Sequence, residues 1–544
     1  MPRLDRVFIY DTTLRDGTQG EGISLSVEDK LKIAARLDQL GVAYIEGGWP
    51  GSNPKDMEFF QRAKSMPWKH AKIAAFGATC RPGLKASEDA NLQALVQSGA
   101  PVVTIFGKTW DFHVTAALRT TLEENLRIIR DSIAFLKEQG LEVMFDAEHF
   151  YDGYKANPQY AKEAVLAAEQ AGADWIVLCD TNGGTLPQDM LAITQEMVFT
   201  LRAPVGVHVH NDGDLAVANS LMGIMAGARQ IQGTINGYGE RCGNANLCSI
   251  IPNLQLKMNM ECLPAQNVAL LTETAHYVAE IANVTLRNDM AFVGHSAFAH
   301  KGGMHVSALL KDPGTYEHIE PEQVGNQRRV LVSELSGMSN IVYKAKELGL
   351  DVNRENADTK QIIENIKNLE HQGFQFEGAE ASFEVLLRRA FGEDPVPFVL
   401  DSIRLIIEKR SDAEFTSEAM IKLRVGDQVV HTAAEGNGPV NAVDNALRKA
   451  LISHYPFLGD CHLTDYKVRV LDEKDATGAK VRVLIETRNH QDSWSTVGVS
   501  ANIIEASWQA LMDSFQYGLL KHGQVETDPV EATEVASEAA ATTA

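Results

Sequence analysis

Two histidines one residue apart, His208 and His210, close the apolar run Val205-Gly206-Val207-His208-Val209-His210-Asn211-Asp212. Side chains along a strand alternate faces, so both imidazoles are expected on one face at the strand's C-terminal end. Near the N-terminus, Asp11-Thr12-Thr13-Leu14-Arg15-Asp16-Gly17 offers a carboxylate beside an arginine just past another apolar run. Asp16, His208 and His210, if brought to one point, are one acidic and two neutral ligands for a divalent cation. They leave about three positions of an octahedral ion for substrate and water. Asn244 offers a further, weaker oxygen ligand. Taken singly, each residue has a plainer role: a histidine at a strand end is ordinarily a hydrogen-bonded structural residue, Arg15 can pair with a neighbouring acid, and Glu148 can be merely solvated. The chemical reading therefore depends on a fold that makes these residues converge.

The pattern from residue 6 to about 258 supplies such a fold. Short apolar runs at 7–10, 43–46, 72–76, 102–106, 142–145, 175–178, 205–209 and 230–235 alternate with amphipathic segments. Ser26-Val27-Glu28-Asp29 opens a helix whose Ile33, Leu37 and Leu40 share a face before Gly41, and Thr121-Leu122-Glu123-Glu124 opens another that stops at Gly140. Eight strand–helix units with strands apolar on both faces fit a (β/α)8 TIM barrel or a doubly wound open sheet. Eight units in about 250 residues favours the barrel. In a barrel the functional groups gather where strands end: Arg15 and Asp16, Glu46, Thr79, Glu148, Thr181, His208 and His210, and the loop 236–244. That loop, Asn236-Gly237-Tyr238-Gly239-Glu240-Arg241-Cys242-Gly243, is glycine-rich but lacks the Lys-Ser/Thr of a phosphate loop, which argues against a nucleotide site.

At 544 residues the chain is too long for one core. Four segments are expected: a catalytic barrel over 1–262, helical linker subdomains over 263–378, a C-terminal α+β (ββα)2 domain over 379–523 and a disordered tail over 524–544. The C-terminal domain reads as two β–β–α cycles. Glu435-Gly436-Asn437-Gly438-Pro439 precedes one helix, and strands at 466–471 and 480–488 lead through Thr496-Val497-Gly498-Val499-Ser500 into another. A formal charge of −22 argues against nucleic-acid binding. No apolar run has the length of a membrane span, and the N-terminus has no signal-peptide pattern. The six scattered cysteines fit neither zinc-site nor disulfide spacing, which suits reduced thiols in a cytoplasm.

These motifs together resemble the 2-isopropylmalate, homocitrate and citramalate synthase family of metal-dependent acyl-CoA condensing enzymes. The resemblance rests on Asp11–Gly17 with Gln19, on His208–Asp212, and on Gly237-Tyr238-Gly239-Glu240-Arg241-Cys242-Gly243-Asn244-Ala245. The segment from His300 to His305 with Tyr316 looks like that family's linker subdomain, and the C-terminal repeat like its amino-acid-sensing regulatory domain. Within the family the chain looks most like the citramalate synthase branch, through Glu46-Gly47-Gly48-Trp49-Pro50-Gly51-Ser52-Asn53-Pro54 and Phe106-Gly107-Lys108-Thr109-Trp110-Asp111-Phe112-His113. Some members of that branch differ after the second strand, so not every pyruvate-contact residue can be carried over.

The resemblance implies a Claisen-type condensation of acetyl-CoA with pyruvate, followed by thioester hydrolysis to (R)-citramalate and CoA, in isoleucine synthesis. It implies a divalent metal (Mg, Mn, Zn or Co) at Asp16, His208, His210 and Asn244, with Arg15 polarising the keto carbonyl. Thr181 would hold the substrate carboxylate. Glu148 would act as base, with His305 and Tyr316 acting through water or on the thioester; which group takes the proton stays open. Since family members bring those last two residues from the second subunit, a domain-swapped homodimer is implied, with isoleucine as effector at the C-terminal domain. Competing readings are 2-isopropylmalate synthase acting on 2-oxoisovalerate, a biotin-dependent carboxyltransferase or acyl-CoA lyase on a similar barrel, and a 2-His-1-carboxylate oxygenase. From another class comes an amino-acid sensor whose barrel has lost catalysis. Retention of Arg15, Asp16, Glu148, His208 and His210 argues against that last reading.

Overall fold

Alternation of apolar residues dictates the core of the N-terminal half. The computed structural model describes residues 6–331, 338–349, 357–390, 398–409, 414–471 and 478–522. It divides into two units, Met1–Ala299 with Glu317–Arg329, and His300–Tyr316 with Val330–Ala544. In the first, eight strands form a closed barrel in sequence order. They are β1 (Phe8–Asp11), β2 (Tyr44–Gly48), β3 (Lys72–Ala78), β4 (Val102–Lys108), β5 (Glu142–Glu148), β6 (Trp175–Asp180), β7 (Val205–Val209) and β8 (Gln230–Gly233). All pairings are parallel, and β1 closes on β8 with Phe8 opposite Gln230 and Asp11 opposite Gly233.

Odd and even positions of each strand do different work. Ile9, Ile45, Ile73, Val103, Val143, Ile176, Val207 and Ile231 join helix residues such as Ile33, Leu37 and Ile129 in one core between strands and helices. Tyr10, Tyr44, Ala74, Val102, Met144 and Trp175 form a separate apolar layer inside the barrel. Continuing the inward period of two along each strand leads to Glu46, Phe76, Thr104, Asp146, Glu148, His208, His210 and Gln232. The interior thus changes from apolar to polar toward the strands' C-terminal ends. Strands β3, β4 and β6 run two residues past the sequence reading and β5 three; in β4, β5 and β6, Lys108, Asp146, Glu148 and Asp180 end the apolar pattern but not the ladder. Lys108 is still paired with Glu148.

The helix signals act as read. Ser26 and Asp29 form a complete capping box for Val27–Leu40, which ends at Gly41 with φ 99°. Thr121 accepts from the Glu124 amide at the start of Leu122–Glu138. No helix among the described residues is long and apolar enough to cross a membrane.

In the second unit, helices Met338–Glu347 and Ala357–His371 precede Glu380–Ala390. Two antiparallel sheets follow. Val399–Glu408, Thr416–Val425 and Gln428–Gly436 lead into helix Pro439–Leu451; His462–Val470, Val481–Arg488 and Ser493–Ser500 lead into Ile503–His522. The repeat is therefore β–β–β–α, a correction to the expected β–β–α. Residues 493–500 are a strand with Ser493 opposite Arg488, not a glycine turn. The glycines serve close packing instead. A Cβ on Gly436 would lie 2.3 Å from the Ala442 amide nitrogen, and one on Gly498 would lie 2.0 Å from the Ala506 carbonyl oxygen. In both halves the strand backbone thus rests directly on the helix that follows. The two halves share one core, in which Ile421, Ala446 and Leu447 join Val483, Ile485 and Ala510. The expected tail over 524–544 lies outside the described residues.

Gly498→Ala is expected to destabilise the C-terminal domain by about 1–3 kcal/mol through overpacking. Gly378→Ala, whose added Cβ meets nothing within 4 Å, should change stability by less than about 0.5 kcal/mol. Denaturant unfolding of the two variants checks the contrast; equal losses would mean that helix contact is not the reason for Gly498.

Candidate active site and metal centre

The inward period of two places His208 and His210 at the end of β7, while the turn after β1 delivers Asp16 from the neighbouring side of the closure. His208 Nε2 lies 3.4 Å and His210 Nε2 4.0 Å from Asp16 Oδ2, and all three side chains are buried. One ligand atom from each lies within 4.8 Å of the others, a spacing that can hold a metal ion. Two further observations fit such an ion. Asn244, bridged in backbone pairing to His210, gives its Nδ2 to the Tyr238 carbonyl at 3.1 Å, while its Oδ1 is buried without a partner, as is His210 Nδ1. Burial and the neighbouring His208 push His210 down to about 4, so its imidazole is neutral at neutral pH, the form that ligates. Burial works against the Asp16 carboxylate, yet Arg15, His208 and His210 hold it below the usual range. A carboxylate and two imidazoles are a donor set suited to several divalent ions.

The ring of His208 is fixed from behind. Its Nδ1 meets Gln232 Oε1 at 2.9 Å, and Gln232 Nε2 donates to Asp146 Oδ1 at 3.0 Å. The amide oxygen has no proton to give, so His208 Nδ1 is the donor in this contact and Nε2 is the ring nitrogen turned to Asp16's side. Burial, then the Glu46 charge, raise Asp146 well above the usual carboxylate range.

Arg15 is anchored by a carboxylate that sequence reading placed at a strand end without a role. Glu46, fully buried on β2, accepts from Arg15 Nε at 2.5 Å, Thr12 Oγ1 at 2.5 Å and Tyr10 Oη at 2.6 Å. Arg15 also lies 3.5 Å from Asp16. Its guanidinium carbon sits 3.7 Å from the centroid of the Phe76 ring. Burial disfavours its charge, but Glu46 and Asp16 more than offset this and raise its pKa. Phe76 stacks on Phe106 at 5.6 Å. Trp49 stands edge-on to both rings at 5.6 and 5.9 Å, with its indole N–H on Asn91 Oδ1 at 2.6 Å. An aromatic wall therefore adjoins the arginine.

Glu148 ends β5 and is ion-paired with Lys108 from β4. Thr181 follows β6 and accepts the His149 amide at 2.8 Å. His305 and Tyr316 belong to the second unit, where both are exposed and their rings lie 4.3 Å apart. The structure thus gathers Arg15, Asp16, His208, His210 and Asn244 around one point. Glu148 and Thr181 stand at the ends of nearby barrel strands, and His305 and Tyr316 form a ring pair of their own, tilted by 31°. Sequence reasoning gave no role to Tyr10, Glu46, Lys108, Asp146 or Gln232. The available signal was polar residues recurring at even spacing within or just beyond apolar runs, as in Met144-Phe145-Asp146-Ala147-Glu148. The glycine loop folds Asn244 back onto β7: a Cβ on Gly243 would lie 2.1 Å from the Gly237 carbonyl oxygen.

Comparison with known proteins agrees with this architecture. Residues 6–278 match the HMGL-like family, 292–373 the homocitrate synthase post-HMGL domain-like family, and 377–519 the LeuA allosteric (dimerisation) domain. The chain is 56% identical over 519 residues to an (R)-citramalate synthase of Aquifex aeolicus, covering 95% of this chain and 98% of that one. It is 55% identical over 521 residues to one of Geobacter sulfurreducens, covering 96% and 99%. A 2-isopropylmalate synthase of Methanocaldococcus jannaschii is 32% identical over 527 residues, covering 95% of each chain. A TIM barrel followed by post-barrel and dimerisation domains defines an acyl-condensing transferase. The chain belongs to the 2-isopropylmalate, homocitrate and citramalate synthase family.

Gln232→Leu removes the acceptor that fixes the His208 tautomer. Metal affinity is expected to fall about 10–100-fold, read by competition with a chromophoric chelator on metal-stripped protein. Unchanged affinity would show that Gln232 does not govern the ligand.

Proposed function

We propose that this chain condenses acetyl-CoA with pyruvate and hydrolyses the thioester, yielding (R)-citramalate and CoA. The observation that carries the reading is the buried Asp16–His208–His210 cluster with Arg15 beside it, in a chain this similar to (R)-citramalate synthases. A divalent ion held by Asp16, His208, His210 and Asn244 would supply Lewis acidity to the keto group. Arg15, its Nε fixed on Glu46, presents the rest of its donor fork to the oxygen on which charge develops as the carbonyl is attacked. The Thr181 hydroxyl donates to the substrate carboxylate. Glu148 takes a proton from the acetyl methyl, with the Lys108 ammonium compensating its charge between turnovers. In a domain-swapped homodimer, His305 and Tyr316 reach this site from the second subunit to act on the thioester or through water.

The wall of Trp49, Phe76 and Phe106 supports pyruvate over 2-oxoisovalerate, because Phe76 lies on Arg15 and is backed by two further rings that cannot readily make way for a branched chain. The six cysteines are all free thiols, which suits a cytoplasmic enzyme. A thiol-release assay across a panel of 2-oxo acids tests the reading. Pyruvate should exceed 2-oxoisovalerate in kcat/KM by at least about tenfold, and chelation of metal should abolish turnover. Preference for 2-oxoisovalerate would assign the chain to 2-isopropylmalate synthesis, and metal-independent turnover would refute the mechanism.

Regulation by isoleucine is the second part of the proposal. A cavity of about 620 Å³ in the C-terminal domain is lined by Val440, Asp444, Arg448, Ile452, Leu463 and Tyr466 among others. Arg448 is already engaged by Asp444 Oδ2 at 2.9 Å and by the carbonyls of Leu458 and Cys461. Asp444 Oδ1 is buried without a partner. A turn of the Asp444 carboxylate would bring that unpartnered oxygen to an ammonium group while an aliphatic side chain covers Ile452 and Leu463, as an apolar amino acid requires. Asp444→Asn should raise the isoleucine concentration for half-inhibition about tenfold and leave the uninhibited kcat/KM unchanged. Equal inhibition of variant and wild type would place the effector elsewhere.

A further inference from the structure

One strained residue sits between two of the groups assigned above. His149 follows Glu148 directly and has φ 55° and ψ 36°, a left-handed conformation uncommon for residues other than glycine and most costly for β-branched ones. Its carbonyl accepts from the Gly153 amide at 2.9 Å, but its side chain makes no cap hydrogen bond to the backbone of Phe150–Ala156. What the conformation achieves is to aim the His149 amide N–H at Thr181 Oγ1, at 2.8 Å. The imidazole is tied down separately: Nδ1 lies 3.0 Å from Asp152 Oδ2, an oxygen that also accepts from Asn182 Nδ2 at 2.9 Å. Asn182 is the residue after Thr181, so the ring and the amide of His149 grip the same turn. On its other side the ring packs 4.4 Å from His113. The Thr181 carbonyl is held in turn by Arg241 Nη2 at 2.8 Å.

The consequence follows from the hydroxyl's inventory of one proton and two lone pairs. With the His149 amide N–H donating into one lone pair, the Thr181 oxygen is held in place and keeps its proton and its second lone pair. Among the described residues no acceptor stands opposite that proton. We propose that His149 is a positioning residue which, through its left-handed backbone and its Asp152 anchor, fixes the orientation of the Thr181 hydroxyl so that its proton is available to the carboxylate of a 2-oxo acid. This rests on the proposed reading of Thr181 as the carboxylate contact. It adds the reason why a non-glycine residue holds a strained conformation beside Glu148, and it extends the binding machinery to His149, Asp152 and Asn182.

A double-mutant cycle on the full-length, metal-loaded enzyme tests it, using whichever 2-oxo acid the wild type condenses, so that a wrong substrate assignment shows itself first and separately. His149→Val, a β-branched residue ill suited to positive φ, should raise KM for the oxo acid about tenfold, with KM for acetyl-CoA unchanged. Thr181→Val should raise it similarly, and the double variant should be no worse than Thr181→Val alone. His149→Asn, which tolerates positive φ and can still reach toward Asp152, should recover most of the loss. If His149→Val does not fold, Asp152→Ala removes the anchor instead and should give the same KM change, again absent in the Thr181→Val background. Additive effects of the two sites, a fall in kcat at constant oxo-acid KM, or no rescue by asparagine would each overturn the assignment.

Discussion

Holding several charges at the dry end of a barrel is the constraint on which the site depends. Asp16 and Glu46 are both buried and ionisable, and the single guanidinium of Arg15 touches both. Burial alone would neutralise such acids, as it does toward Asp11, pushed up to about 7, and Asp146. Arg15 escapes the opposite fate because the two carboxylates raise its pKa. One cation among these acids leaves negative potential facing two imidazoles, a condition that favours a divalent ion. The charge balance also explains why Asp146 acts through Gln232 as a hydrogen-bond partner and not as a second ionised group.

The barrel makes this balance possible by sorting its interior along the strands. Tyr10, Tyr44, Met144 and Trp175 fill the layer below, so the polar groups above them cannot be relaxed by water from beneath. Supporting contacts join neighbouring strands, Tyr10 to Glu46 and Lys108 to Glu148, and cross the barrel from Gln232 to Asp146. Each fixes one rotamer at the mouth, and the left-handed His149 does the same for Thr181 with a backbone group. The C-terminal domain uses a different device. Its paired glycines, Gly436 and Gly498, let each sheet rest on its helix and allow two similar halves to share one core.

Much of this was legible in the sequence because it is local. Strand periodicity, the capping box at Ser26, the left-handed stop at Gly41 and the shared face of His208 and His210 each depend on residues within a few positions of one another. The third strand of each C-terminal cycle was not legible. Gly498 carries the local signature of a turn, whereas the reason for it is a helix carbonyl that only packing brings near.

By itself the sequence determined the order of eight strands and helices, the family, and the identity of Asp16, His208 and His210 as a matched donor set. Only the tertiary structure decided what stands behind them: Glu46 on Arg15, Gln232 and Asp146 behind His208, Lys108 on Glu148, and Trp49 against Phe76 and Phe106. These partners lie tens of residues apart, 86 in the case of Gln232 and Asp146. No periodicity spans such distances. Barrel closure alone brings them within hydrogen-bonding reach.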